Sequence, residues 1–215
     1  MARPRIQVAR NEVDERYDYH CDALASYLPD AEEFDYPKGE RVDLTDADAV
    51  VLTGSTAGAY ERGERPWITE LERLVRDVIV ESIPTLGVCF GHQLVNQSLG
   101  GRVTHVGTTS KLVRVSLDAD PLFEGINSVI PAVHGDRVTR TGEHMRVIAS
   151  TDHAEIFATR HERAPLWTVQ WHPEFTEDML HHIERDFGWT ETEFSFADVN
   201  SERIYENFID IVASR

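Results

Sequence analysis

The sequence predicts an α/β fold: a central, mostly parallel sheet with helices on both faces, joined by additional short antiparallel strands. Three observations carry this. Ala49-Val50-Val51-Leu52 is a continuous apolar run closed by Thr53-Gly54-Ser55, the pattern of a strand buried on both faces. Strand-like and helix-like segments alternate up to about residue 100. Beyond residue 102 the texture changes to short strand candidates separated by turn residues.

Taken in order, residues 5–9 read as the first strand, and residues 15–28 carry Tyr17, Cys21, Leu24 and Leu28 at helical spacing. Cys21 sits on that apolar stripe as a small buried hydrophobe. Pro66 then opens a helix with Trp67, Leu71, Leu74, Val75 and Val78 on one face, since proline suits the first helical position. Residues 83–88 form the next strand, and residues 90–99 a helix stopped by Gly100-Gly101. Strands are expected at 102–106, 112–117, 129–133, 145–149, 155–159 and 166–171. A helix over 176–187 and a final helix carrying Ile204, Phe208, Ile211 and Val212 complete the chain. The acidic stretches 30–33 and 190–193 read as solvated surface. No repeat or linker interrupts residues 1–215, so a single domain is expected.

Composition narrows the function. There are 21 Lys+Arg against 38 Asp+Glu, a formal charge of −17, which argues against nonspecific nucleic-acid binding. With 41% hydrophobic residues the chain has enough apolar surface for a core. No apolar run approaches the ~18 residues of a membrane span. The opening Met1-Ala-Arg-Pro-Arg5 leads into a strand rather than a signal peptide. Only Lys38 and Lys111 are lysines, and the acidic, lysine-poor composition fits a salt-loaded cytoplasm that screens self-repulsion. Cys21 and Cys89 lie far apart and form no CxxC pair, which fits a reducing compartment and gives no disulfide framework.

The most informative segment is Gly87-Val88-Cys89-Phe90-Gly91-His92-Gln93, a G-x-C-x-G pattern between a predicted strand and a predicted helix. The glycines allow a sharp turn with the nucleophile at its tip. A cysteine at a helix N-terminus feels the positive end of the macrodipole, which favours the thiolate. A thiolate needs a base, and Trp171-His172-Pro173-Glu174 follows a predicted strand end. Pro173 favours an extended His172, from which Glu174 reaches the imidazole and fixes its tautomer.

In the order Cys89, His172, Glu174, these motifs resemble the class I (triad) glutamine amidotransferases, in particular the GMP-synthase-like amidotransferase domain. The likeness covers roughly residues 48–176. Two further segments carry it: Val51-Leu-Thr-Gly54-Ser55, like the family's oxyanion loop, and Pro131-Ala-Val-His134-Gly135-Asp136, like its Ser-His-Gly-Asp loop. The resemblance implies a flavodoxin-like fold and a glutaminase half-reaction. Cys89 would attack the glutamine side-chain amide to give a γ-glutamyl thioester, His172 would move the proton, and Glu174 would orient His172. Phe90 N–H with Gly54 and Ser55 would form the oxyanion hole, and Gln93, His134 and Gly135 would hold the amino-acid end of the substrate. Two positions depart from the family pattern: Gly54-Ser55-Thr56 replaces a small pair followed by proline, and Val133 replaces the serine.

No Gly-x-x-x-x-Gly-Lys-[Ser/Thr] loop and no Ser-Gly-Gly-x-Asp-Ser-like loop occurs, so ATP-dependent activation of an acceptor is expected on a separate synthetase subunit. The opening Ile6-Gln-Val-Ala-Arg-Asn11 also differs from the opening of dedicated GMP synthase subunits, which leaves the acceptor open. Two alternatives stand beside this reading: a γ-glutamyl hydrolase acting on another conjugate, and a catalytically silent regulatory module. No cofactor and no metal are expected. His92 reads as packing or solvent-facing rather than catalytic, and the adjacent His181-His182, facing different sides of a helix, as a poor metal pair, while His20, His105, His144, His153 and His161 lack ligand-like spacing.

Overall fold

The computed structural model describes residues 3–215; the first two residues of the opening segment lie outside the described residues. Five strands form the parallel part of the sheet: β1 (Ile6–Arg10), β2 (Glu32–Asp35), β3 (Ala49–Leu52), β4 (Thr85–Val88) and, late in the chain, β10 (Leu166–Val169). Between the last two in sequence come β5 (Arg102–Arg114), β6 (Ser116–Leu117), β7 (Val129–Arg140), β8 (Met145–Thr151) and β9 (Ala154–His161). The eight-stranded sheet runs β2-β1-β3-β4-β10-β9-β8-β6, with β9, β8 and β6 antiparallel. The remaining two, β5 and β7, pair antiparallel as a separate two-stranded arm.

Helices cover both faces because the strands are apolar on both. Val50 and Leu52 point one way, onto α2 (Pro66–Val80) and α3 (Phe90–Ser98), where Ile68, Leu71, Val75 and Leu94 pack. Ala49 and Val51 point the other way, into the cluster with Leu24 of α1 (Tyr19–Ser26) and Ile204 and Phe208 of α5 (Arg203–Ala213). Period-2 alternation within a four-residue strand thus feeds two cores at once. A smaller cluster joins Val133 and Phe175 to Ile183 of α4 (Leu180–Phe187). Among the described residues, no helix is long and apolar enough to cross a membrane.

Several expectations shift in detail. The acidic residues of the 30–33 stretch are exposed, as expected, and the backbone from Glu32 to Asp35 in addition forms the edge strand β2, pairing parallel to β1 through groups that need no apolar side chains. Arg10 offsets part of its charge, with Nη1 2.7 Å from Asp22 and 2.6 Å from Glu33. The segments 102–106 and 112–117 divide differently: β5 runs as one 13-residue strand from Arg102 to Arg114, with a register shift between His105 and Thr109, and Ser116–Leu117 is the separate strand β6 paired with β8. Strand β10 ends at Val169, which releases residues 170–172 into the loop that follows. The helix expected at 15–28 is a short turn at Glu15–Tyr17 and then α1. His181 and His182 do not splay apart on α4, since their ring centroids are 3.9 Å apart.

Candidate active site

The carboxyl ends of β1, β3, β4 and β10 converge on one edge of the sheet, where ligands of open α/β sheets bind. Cys89 lies between β4 and α3 with φ 50° and ψ −99°, a conformation a non-glycine residue adopts only at a cost of about 1–3 kcal/mol. Two glycines permit this turn. A Cβ on Gly87 would lie 2.8 Å from the Gly91 carbonyl carbon, and one on Gly91 would lie 2.7 Å from the Leu52 carbonyl oxygen. The Cys89 N–H donates to Val169 O at 2.8 Å, locking the elbow to the neighbouring strand. Its Sγ lies 3.7 Å from Gln170 Nε2, which donates to it, and 3.9 Å from Val133 O. At the start of α3 the Phe90 N–H is among the first-turn donors that have no acceptor within their own helix.

The His172 imidazole is held on every side. Nδ1 is 2.6 Å from Glu174 Oε1, and the other carboxylate oxygen of Glu174 accepts from Tyr205 Oη at 2.8 Å. The ring stacks on Phe175 with centroids 4.3 Å apart and a 7° interplanar angle. Burial would lower the His172 pKa, but Cys89 and Glu174 raise it to about 9. The Glu174 carboxylate is fully buried, which by itself favours the neutral acid; His172 nonetheless holds its pKa below the ordinary value.

Cys89 and His172 share a cavity of about 280 Å³. Ser55, Gln93, His134 and Gly135 also border it, so the structure brings the sequence-predicted residues to one place. Gly54 lies just behind, where a Cβ would sit 2.7 Å from His172 Cε1. In this turn the N–H of Thr53 donates to Ala9 O, that of Thr56 to Glu12 and that of Ala57 to Ser55 Oγ. Gln93 Nε2 donates to Asp136 O at 3.2 Å and Gln170 Oε1 at 3.3 Å, tying α3 to the β7 arm. The His134 ring stacks on His153, and neither of its nitrogens has a partner. Burial pushes its pKa down to about 3, so it is neutral near pH 7. The β5–β7 arm forms one wall through His105 and Thr108 on one strand and His134–Asp136 on the other.

His92, by contrast, points away and packs: its Nδ1 is 2.7 Å from Thr168 Oγ1 in a fully buried network with Thr159 and Asn96. Cys21 is fully buried, as its apolar stripe indicates.

Three residues at this site have no signal in the sequence spacing. Tyr205 arrives from the last helix, and Glu12 and His20 arrive from the loop and helix after β1. His20 packs edge-on against His172, with centroids 5.6 Å apart at 73°, and its Nε2 is 3.0 Å from Glu12 Oε2. His20, His172 and Glu174 together place potential ligand atoms within 4.8 Å of one another. Each of these side chains is already engaged, by Glu12, by Glu174 or by Tyr205, so the group reads as an acid–base network rather than a cation cage.

Comparison with known proteins agrees with this geometry. The family model for glutamine amidotransferase class-I matches residues 23–189. A glutamine-hydrolyzing GMP synthase subunit of Methanopyrus kandleri is 35% identical over 138 residues, covering 61% of this chain and 70% of that protein. The protein of the same name from Archaeoglobus fulgidus is 35% identical over 173 residues, covering 78% of each. The crystal structure of a glutamine amidotransferase from Thermotoga maritima superimposes with a TM-score of 0.74 at 18% identity, covering 98% of this chain and 99% of the other. With a sheet, an elbow and a cavity of this form, and a family model spanning most of its length, the chain belongs to the class-I glutamine amidotransferases.

Proposed function

We propose that the whole chain is one amidotransferase domain that releases ammonia from glutamine through a covalent intermediate on Cys89. The observation that carries this reading is the placing of Cys89 on a positive-φ elbow, in one cavity with an imidazole whose far nitrogen is held 2.6 Å from a buried carboxylate. His172, held through Nδ1 by Glu174, is the base that takes the thiol proton as Cys89 attacks.

The thiolate attacks the side-chain carbonyl carbon of glutamine, and the oxygen takes up the negative charge. In this reading the N–H groups of Phe90 and of the Gly54–Ser55 turn stabilise it. His172 gives its proton to the departing nitrogen, ammonia leaves, and the γ-glutamyl thioester remains. A water molecule then loses a proton to His172 and attacks the thioester, which frees glutamate and restores the thiol. Glu174 keeps Nδ1 protonated throughout, so that Nε2 faces the sulfur. Gln93, the neutral His134 and the backbone at Gly135 border the space for the α-amino and α-carboxylate groups. Val133, where the family has serine, presents its carbonyl toward Cys89, a contact that does not depend on the side chain.

The relatives named as single subunits of GMP synthase support a partnership with a separate ATP-dependent synthetase that accepts the ammonia, in a salt-rich cytoplasm that fits the −17 charge. The test measures glutamate and ammonia release from glutamine and from γ-glutamyl amines, with Cys89→Ala as control. Release from glutamine that vanishes in the variant supports the reading. Turnover of γ-glutamyl amines alone assigns the chain as a γ-glutamyl hydrolase, and no Cys89-dependent turnover, alone or with a co-purified synthetase, makes it a silent module.

A further inference from the structure

Beside the His172–Glu174 pair lies a second buried imidazole–carboxylate pair, and the glutaminase mechanism above does not use it. The side chains of Glu12 and His20 are 1% and 4% exposed. Glu12 gathers five donors. Its Oε1 accepts from Val13 N at 2.8 Å, from Asp14 N at 3.0 Å and from Thr56 Oγ1, while Oε2 accepts from Thr56 N at 2.9 Å and from His20 Nε2 at 3.0 Å. Thr56 directly follows Gly54-Ser55, so the carboxylate grips the downstream end of the oxyanion turn. The upstream end is held by the Thr53 hydroxyl, which accepts from Asn11 N at 3.0 Å, and by the Thr53 carbonyl, which accepts from Asn11 Nδ2 at 3.1 Å. His20 fills the space behind the turn, 3.3 Å from where a Cβ on Gly54 would lie, with its ring edge-on to His172.

We infer that Glu12 and His20 are positioning residues that hold the Gly54–Ser55 turn against His172 and so preset the oxyanion hole. The inference rests on the glutaminase reading of the site. A buried ion pair adds little net stability over apolar packing of the same volume, so fold stability alone gives weak reason for two ionisable groups here. Their contacts run instead to the two parts of the site that must stay in register: the backbone donors and the catalytic imidazole. The same side chains make an apparent second Cys–His–Glu line, because Cys21 Sγ lies 3.6 Å from His20 Nδ1. Cys21 is sealed from solvent and also contacts Thr53 Oγ1 at 3.5 Å, so it serves as packing behind the turn. The ionisable groups facing His20 are Glu12, Cys21, Tyr19, His172 and Glu174. Burial opposes its charge, but Cys21 and Glu12 hold its pKa well above the usual range.

The test compares Glu12→Gln, His20→Gln, His20→Ala and Thr56→Val with the native chain, using the native chain's glutamine turnover and its loss in Cys89→Ala as the reference. Thr56 is exposed, so its variant removes a grip on Glu12 without disturbing the core. Melting curves identify any variant that does not fold. Displacing oxyanion donors is expected to lower kcat about 10- to 100-fold in Glu12→Gln and His20→Ala, with KM within about two-fold. Thr56→Val is expected to lose several-fold in kcat, and His20→Gln, which keeps a donor toward Glu12, to retain more than His20→Ala. Alkylation of Cys89 by iodoacetamide reads the thiolate and does not use the oxyanion hole, so its rate should stay within about two-fold of native. Native kcat in the folded variants would overturn the inference, as would losses confined to KM or a parallel fall in alkylation. If the native chain itself shows no Cys89-dependent turnover, the glutaminase reading fails first.

Discussion

The Tyr205 hydroxyl is the only side-chain donor from outside the 172–175 segment that reaches the Glu174 carboxylate among the described residues, at 2.8 Å with both groups buried. Tyr205→Phe removes it without changing the ring, whose stacking on Tyr27 at 5.3 Å is kept. A hydrogen bond to a charged group contributes about 1.5–3 kcal/mol, and a chain of this size loses about 2–4 °C per kcal/mol, so the melting temperature should fall by about 3–12 °C at pH 7. Catalysis should suffer as well. Without Tyr205, Glu174 is less firmly ionised and less firmly aimed at His172 Nδ1. If about 1 kcal/mol of that loss is felt when His172 carries its proton in the transition state, kcat falls about five-fold. Differential scanning calorimetry and a coupled glutamate assay on the same preparation read both effects. A melting temperature within about 1 °C of the native value, together with an unchanged kcat, would refute the argument that the last helix supports the active-site carboxylate.

Three other outcomes follow from the charges. His172 is raised from 6.5 to about 9, so its contribution to stability is full below 6.5 and is lost as pH rises through about 9. The same proton is the one given to the departing amide nitrogen, and kcat/KM should fall along that alkaline limb; a profile flat to pH 10 would exclude His172 as the donor. Glu174 is shifted the other way, so its contribution is present above 4.5 and is lost as pH falls through its lowered value. With −17 net charge, the melting temperature should climb from dilute buffer to molar potassium chloride, as the screening length shrinks from tens of ångströms to about 3 Å. A melting temperature independent of salt would show that self-repulsion is not limiting.

How much of this was legible in the sequence depends on whether a feature is local. The elbow is local: Gly87 and Gly91 are demanded by close backbone approach, and Cys89 must turn between a strand and a helix within a few residues. His172 and Glu174 are two positions apart, so their pairing needs only a suitable loop. The apolar strands were equally clear, because burial on both faces writes itself as a continuous run. Strand β2 was hidden because Glu32-Glu33-Phe34-Asp35 pairs through its backbone and carries acidic side chains on an edge. The long β5–β7 arm looks like shorter pieces in the sequence because the bulge around Gly107 and a run of exposed residues break its alternation. Glu12, His20 and Tyr205 reach the site through tertiary packing from β1, α1 and α5, and no spacing rule connects them to residues 172–174.

The whole account turns on Cys89 being the atom that the glutamine carbonyl meets. A diazo-ketone analogue of glutamine, incubated with the folded protein and followed by peptide mass spectrometry, asks this directly. Stoichiometric labelling of Cys89, competed by glutamine and abolished by His172→Ala, is the predicted result, with Cys21 unmodified. An unlabelled Cys89, under conditions that fully label a related amidotransferase, would contradict it.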